Sequence, residues 1–255
     1  MKLNYRKKNE ILKGGLFRMS SINDNWKIFL KEILENGEKH EKDDGDVLQE
    51  SLINHCFIDN PLKQFTGQNI NSKLFLNMIK QGVFDIKEYP IKGSALAEYV
   101  ESLDDESMIY GTDFVYTYPE RLCGYYTIDR FGEEITVNQL EIMEYRLLEH
   151  EGSNRAVATL YNCGFDATEQ HIPCLQVVQA TIRNNKLILH VFFRSNDCYS
   201  AFPSNMLFIS YIGIKLTESL KEKYPLLEFE GINYNSSSLH IYKGDLDAAK
   251  KVIGL

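Results

Sequence analysis

Cys174, Arg194, Ser195, Asp197 and Asn205 fall in one stretch of the chain, within the runs Ile172-Pro173-Cys174-Leu175-Gln176, Arg194-Ser195-Asn196-Asp197 and Pro203-Ser204-Asn205. A thiol becomes a strong nucleophile when its thiolate is favoured, and a neighbouring guanidinium favours it. An arginine followed by serine at the end of an apolar strand offers a planar cation and a hydroxyl, which together suit an anion such as phosphate. Asn205 can donate and accept through one side chain, so it matches the adjacent carbonyl and ring N–H of a uracil, whereas cytosine presents the opposite polarity. Each residue also has a plainer role open to it: Cys174 as a small buried hydrophobe, Arg194 as a solvated strand-end cation, Asn205 as a helix N-cap, Asp197 as a cap or the partner of an arginine.

These groups need elements to carry them. Leu175 to Ile182 and Leu187 to Phe193 alternate as strands around Arg183-Asn184-Asn185-Lys186, a turn expected to close a hairpin that returns Arg194 toward Cys174. Met206 to Leu220 reads as a long buried helix, and Leu226 to Tyr234 and Ser238 to Tyr242 as two further strands. Amphipathic helices are predicted from Asn25 to Gly37, Gly93 to Leu103 and Asn138 to Glu149, with a short one from Leu246 to Ile253. Ala156 to Tyr161 is a short strand candidate, Leu48 to Ile58 and Lys73 to Val83 carry mixed signals, and the charged run Glu38 to Asp46 reads as a solvated loop. Strands in the centre with helices before and after define an α+β class, a single domain with a mixed or antiparallel sheet covered by helices.

The totals narrow the function. A chain of 255 residues, 44% hydrophobic and 25% charged, can bury a substantial core. Its net charge of −8 argues against a nucleic acid polymer as partner, because polymer binding needs clustered cations, while a single nucleotide needs only a few. The five cysteines form no C-x-x-C pair, so reduced thiols in the cytoplasm and no metal are expected. No apolar stretch approaches membrane-spanning length, and the basic run Lys2 to Arg18 lacks the apolar middle of a signal peptide. Residues 1–18 are expected to be an extension before Met19, with one catalytic domain over 19–255.

The Pro-Cys run, the Arg-Ser-Asn-Asp run and Pro203-Ser204-Asn205 resemble, in order and spacing, the nucleophile region of the thymidylate synthase and pyrimidine hydroxymethylase family. The likeness extends from Arg155 to Asp245 and more loosely back to Ser94, and it is greatest to compact archaeal-type synthases, which also end soon after a His-x-Tyr strand. Ser238-Leu239-His240-Ile241-Tyr242 is similar to that strand; its alternation puts His240 and Tyr242 on one face. Ser94 to Tyr99 resembles the helix presenting a catalytic glutamate, here Glu98 with Glu101 as competitor. Tyr116 to Leu122 resembles the segment bearing the active-site tyrosine, here Tyr118. Ser153-Asn154-Arg155 resembles the site of two adjacent arginines that reach across a dimer; here only Arg155 is basic. Asp43-Asp44-Gly45-Asp46 stands near the family's arginine-bearing loop, and Ser204 replaces the phenylalanine usual beside the asparagine.

The resemblance implies a methyltransferase that converts dUMP to dTMP through a covalent Cys174 adduct. Glu98 and Tyr118 would assist catalysis, and Arg155, Arg194, Ser195, Asn205, His240 and Tyr242 would bind the nucleotide. Asp197 would contact the cosubstrate, 5,10-methylenetetrahydrofolate or a tetrahydromethanopterin analogue, and the protein would be a homodimer. Capture of the methylene by water instead of hydride would make it a deoxyuridylate or deoxycytidylate 5-hydroxymethylase. A silent nucleotide-binding relative is the third alternative.

Overall fold

The computed structural model describes residues 11–12, 16–19, 21–63, 65, 71–110 and 115–255; residues 1–10 and 13–15 of the expected extension lie outside them. Helix formation starts where the capping chemistry dictates. Ser21 accepts from the Asp24 amide at the head of α1 (Ile22–Asn36) and Gly37 closes it, so Trp26, Leu30 and Ile33 fall on one buried face. Asn71 caps α2 (Ser72–Lys80) in the same way. The remaining helices are α3 (Gly93–Glu101), α4 (Glu106–Tyr110), α5 (Tyr118–Cys123), α6 (Gln139–Glu149), α7 (Phe202–Leu220) and α8 (Leu246–Ile253).

The strands are β1 (Ile11–Leu12), β2 (Leu16–Met19), β3 (Glu38–Glu41), β4 (Val47–Asp59), β5 (Tyr125–Ile128), β6 (Glu134–Val137), β7 (Val157–Thr159), β8 (Leu175–Arg183), β9 (Lys186–Asp197) and β10 (Glu228–Tyr242). The main sheet runs β1-β2-β4-β10-β9-β8-β7, with β3 added to β4, and β5 and β6 form a separate hairpin. The sheet is mixed, as expected: β10 lies parallel to β9 and antiparallel to β4, while β8 is antiparallel to β9. The expected hairpin joins β8 and β9. Asn184 and Asn185 hold φ of 53° and 58°, the pair of left-handed residues that a two-residue turn matching strand twist requires.

Helix α7 is apolar on nearly every side because it packs under the sheet while α1, α2, α3 and α6 pack around it. Gly213 lets the chain approach closely there: a Cβ would sit 2.3 Å from the Phe229 ring. Since β9 and β10 are parallel, the connection must cross over, and α7 is that crossover. The two strands expected over 226–242 are one continuous β10. Asn235 and Ser236, which interrupt the apolar pattern, stay paired with β4 and β9. Among the described residues no helix is long and apolar enough to cross a membrane.

Candidate active site

The β9-α7-β10 crossover brings the distant runs together. Arg194 to Asp197 end β9, His240 and Tyr242 end the parallel β10, and Ser238 and His240 stand in register with Ser195 and Asp197. The first turns of α7 begin at the same end, where parallel strands with a crossover helix leave a crevice. Strand β8 returns antiparallel, so the Arg194 amide donates to the Cys174 carbonyl at 2.9 Å. A bulge between Leu175 and Val177 turns the start of β8. The result is a cleft of 1250 Å³ bordered by Cys174, Arg194, Ser195, Asp197, Asn205, His240, Tyr242, Glu98 and Tyr118.

Around the sulfur the geometry is tight. Cys174 Sγ lies 3.5 Å from Ser195 Oγ and 3.8 Å from Arg194 Nη2. The guanidinium is held by its own loop, Nε donating to Pro173 O at 3.0 Å and Nη2 to Ile172 O at 2.8 Å, while Nη1 contacts Ser195 Oγ at 3.3 Å. Of five N–H hydrogens, one on Nη1 is left for an incoming anion. The start of β8 is held by α5, whose capping box of Thr117 and Glu120 sets its first turn. Tyr118, the first residue of that helix, accepts from the Leu175 amide at 3.3 Å.

Asn205 is buried and sits inside α7, whose N-cap is Ala201, so a capping role for Asn205 is overturned. Its Oδ1 accepts from the Tyr99 hydroxyl at 2.6 Å and its Nδ2 donates to Asn196 Oδ1 at 3.1 Å. Asn196 in turn donates to the Tyr234 hydroxyl. Asp197 Oδ1 caps the turn after β9, accepting from the Tyr199 and Ser200 amides at 2.9 and 3.0 Å, and burial pushes its carboxyl up against those bonds.

His240 is 5% exposed, with its ring edge-on to Tyr242 at 5.0 Å. Burial pushes the imidazole down to about 4, with Lys42 and Arg194 adding to the effect and Glu50 opposing it. Tyr116 is likewise pushed up to about 12, by burial first and then by Cys174, with Arg194 opposing. Of the two carboxylates on α3, Glu98 borders the cleft, whereas Glu101 pairs with Lys80 at 2.8 Å.

Some expected features fall elsewhere. Arg155 is exposed at the start of β7 and is absent from the cleft lining of its own chain. Trp26 is fully buried in the core and donates from Nε1 to Cys198 O at 2.7 Å. The run from Glu38 to Asp46, read as a solvated loop, contains β3 and borders the cleft through Lys42, Asp43, Asp44 and Asp46. Lys42 bonds Asp44 at 2.5 Å and lies 5.5 Å from the centre of the Tyr242 ring. Tyr99, Tyr116, Glu50 and Asn196 were missed because their types are common in cores and surfaces, and only their convergence marks them. Among the described residues no group of three or more His, Cys, Asp or Glu side chains could hold a metal ion.

The arrangement defines a class: an α+β domain with a thiol, a guanidinium and a polar amide at the mouth of a crossover. Comparison makes it specific. The thymidylate synthase family model matches residues 24–254, and the chain belongs to that family. The protein named "Putative thymidylate synthase" of Methanocaldococcus jannaschii is 33% identical over 173 residues, 65% of this chain and 71% of the relative. Proteins of the same name from Methanothermobacter thermautotrophicus and Methanosarcina acetivorans are each 26% identical, covering 92% and 94% of this chain and 96% and 95% of theirs.

Proposed function

We propose that this protein methylates dUMP to dTMP through a covalent bond between Cys174 Sγ and C6 of the base. The observation that carries the reading is the 3.8 Å approach of Arg194 Nη2 to Cys174 Sγ at the crevice where β9, β10 and α7 converge. The guanidinium places positive charge beside the sulfur that must attack, and its remaining hydrogen with Ser195 Oγ would meet the phosphate. Lys42, now on Asp44, is the second cation bordering the cleft and would join the phosphate.

Attack at C6 sends the ring electron pair toward C5 and O4, where the amide of Asn205, held by Tyr99 and Asn196, stabilises the charge that develops. C5 then becomes the carbon nucleophile. Glu98, which borders the cleft, would organise water for the proton transfers that follow, Tyr118 would hold the strand bearing Cys174, and loss of Cys174 from C6 would release product. Among the described residues buried His240 Nε2 has no partner, and together with Tyr242 it would offer a site to the sugar hydroxyl.

The cleft also fits the cosubstrate. Its 1250 Å³ exceeds the roughly 300–1,000 Å³ usual for one ligand, and Tyr116, Tyr118 and Phe208 form an aromatic wall with ring centres 6.0–6.2 Å apart in sequence along it. Methylenetetrahydrofolate or a tetrahydromethanopterin analogue would supply the methylene carbon and, for a methyl product, the hydride. Asp197 would meet it at the cleft margin.

Incubating the protein with dUMP and methylenetetrahydrofolate should yield a product heavier by one methylene group, and Cys174→Ser should yield none. The wild type should also trap 5-fluoro-dUMP covalently. A 5-hydroxymethyl product would replace the synthase reading by a hydroxymethylase. Binding of dUMP with neither turnover nor trapping would leave a silent relative.

A homodimer in the cytoplasm completes the proposal. The five cysteines are unpaired, and Val157 and Phe192 are 37% and 41% exposed on the sheet face away from α7. A partner covering that face would let Arg155 reach a neighbouring phosphate. Light scattering should give twice the chain mass, and Arg155→Ala should raise the KM for dUMP.

A further inference from the structure

Glu50 stands on β4 directly opposite His240 on β10, and both border the cleft. Their connection runs through Ser238, two residues before His240 and on the same face. Ser238 Oγ donates to Glu50 Oε2 at 2.6 Å and lies 3.5 Å from His240 Nδ1. A serine hydroxyl has one hydrogen and a carboxylate has none to give. The hydrogen of Ser238 is therefore spent on Glu50, and toward Nδ1 the serine presents only lone pairs.

We infer that Glu50 is a positioning residue that sets the tautomer of His240: by drawing the Ser238 hydrogen to itself, it makes Nδ1 the protonated nitrogen and leaves Nε2 as a lone-pair acceptor aimed at ligand. Among the described residues Nε2 is buried without a partner, as an acceptor awaiting a donor would be. Burial keeps the imidazole neutral at pH 7, so the two nitrogens differ in kind. The ligand atom that meets Nε2 must then be a hydrogen-bond donor. Resting on the reading of the site as a deoxynucleotide cleft, that donor is the 3′-hydroxyl, and Glu50 acts on sugar recognition without touching the sugar.

The tautomer is read from long-range ¹H–¹⁵N correlation spectra of histidine-labelled full-length protein at pH 7, the His240 signals among six histidines being assigned with His240→Gln. The ligand-free wild type should show protonated Nδ1 and bare Nε2. In Glu50→Leu the Ser238 hydrogen is free to turn to Nδ1, and the Nε2–H form should gain. Glu50→Gln, whose amide oxygen still accepts, should keep the wild-type pattern. The KM for dUMP should rise about tenfold in Glu50→Leu, the worth of one hydrogen bond, with a smaller change in kcat, and Glu50→Gln should restore most of it. The Kd for 2′,3′-dideoxy-UMP, which lacks the hydroxyl, should not change. A wild-type spectrum with protonated Nε2, or equal weakening of both nucleotides in Glu50→Leu, overturns the inference; if that variant does not fold, the wild-type and Glu50→Gln spectra decide it. Failure of the wild type to bind dUMP would instead overturn the nucleotide reading while leaving the tautomer result intact.

Discussion

The hydroxyl of Tyr99 donates to Asn205 Oδ1 at 2.6 Å across 106 residues of chain. Burial, reinforced by Tyr89, Tyr116 and Cys174, pushes the phenol far above its ordinary range, so it stays a donor throughout the working pH range. Tyr99→Phe should free one end of the Asn205 amide and raise the KM for dUMP about five- to tenfold, the value of one buried hydrogen bond. Asn205→Asp should shift preference from dUMP toward dCMP. Steady-state kinetics with both nucleotides check these outcomes; an unchanged KM in Tyr99→Phe would separate the pair from base reading.

Lysine at position 194 would lose the contacts of the Arg194 fork. That fork bonds two loop carbonyls and approaches the sulfur at once, whereas an ammonium is a compact charge without the planar fork that spans these separated partners. Arg194→Lys should lower kcat/KM by about 100-fold, roughly 3 kcal/mol of transition-state stabilisation, and slow the trapping of 5-fluoro-dUMP. Retention of wild-type trapping would show that the guanidinium does not assist the thiol.

Stability should fall between pH 6.5 and 4. His240 titrates at about 4 in the folded protein, below the value of an exposed imidazole. In that window the unfolded chain binds a proton that the native state refuses, so the free energy of unfolding drops as pH falls, by a few kcal/mol. His190, also lowered by burial and by Arg183, acts in the same direction, and the raised carboxyl of Asp197 acts against it near the acid end. Urea unfolding at pH 7 and 4.5 should show a smaller acid loss in His240→Gln than in the wild type. Equal losses would mean that the native imidazole is charged.

Gly213→Ala sets helix propensity against packing. Alanine gains about 1 kcal/mol over glycine in a helix interior, but the new Cβ would lie 2.3–2.7 Å from three atoms of the Phe229 ring. Overpacking of that order costs about 1–3 kcal/mol. A net loss is expected, visible as a melting point lower by several degrees, and Phe229→Leu in the same chain should recover part of it. A higher melting point would show that the ring moves aside freely.

What could be read from the amino-acid order alone was what depends on near neighbours. The spacing of Trp26, Phe29 and Ile33 specifies α1 because a helix repeats every few residues, and Asn184-Asn185 specifies a tight turn because both residues tolerate positive φ. The Pro-Cys, Arg-Ser and His-x-Tyr runs carried the resemblance to the family whose model matches the chain. Strand pairing obeys no such local rule. Nothing between residues 226 and 242 announces that β10 is unbroken or lies parallel to β9, since the pairing is decided by the crossover of α7 and by burial of both strands against it. That one tertiary choice sets Ser238 and His240 beside Ser195 and Asp197, brings Tyr99 to Asn205 and Glu50 to His240, buries Trp26 in the core and leaves Arg155 outside its own cleft. Side-chain identity supplied the reagents; three-dimensional packing supplied their distances, because contacts between residues far apart in sequence form only when the whole core is built.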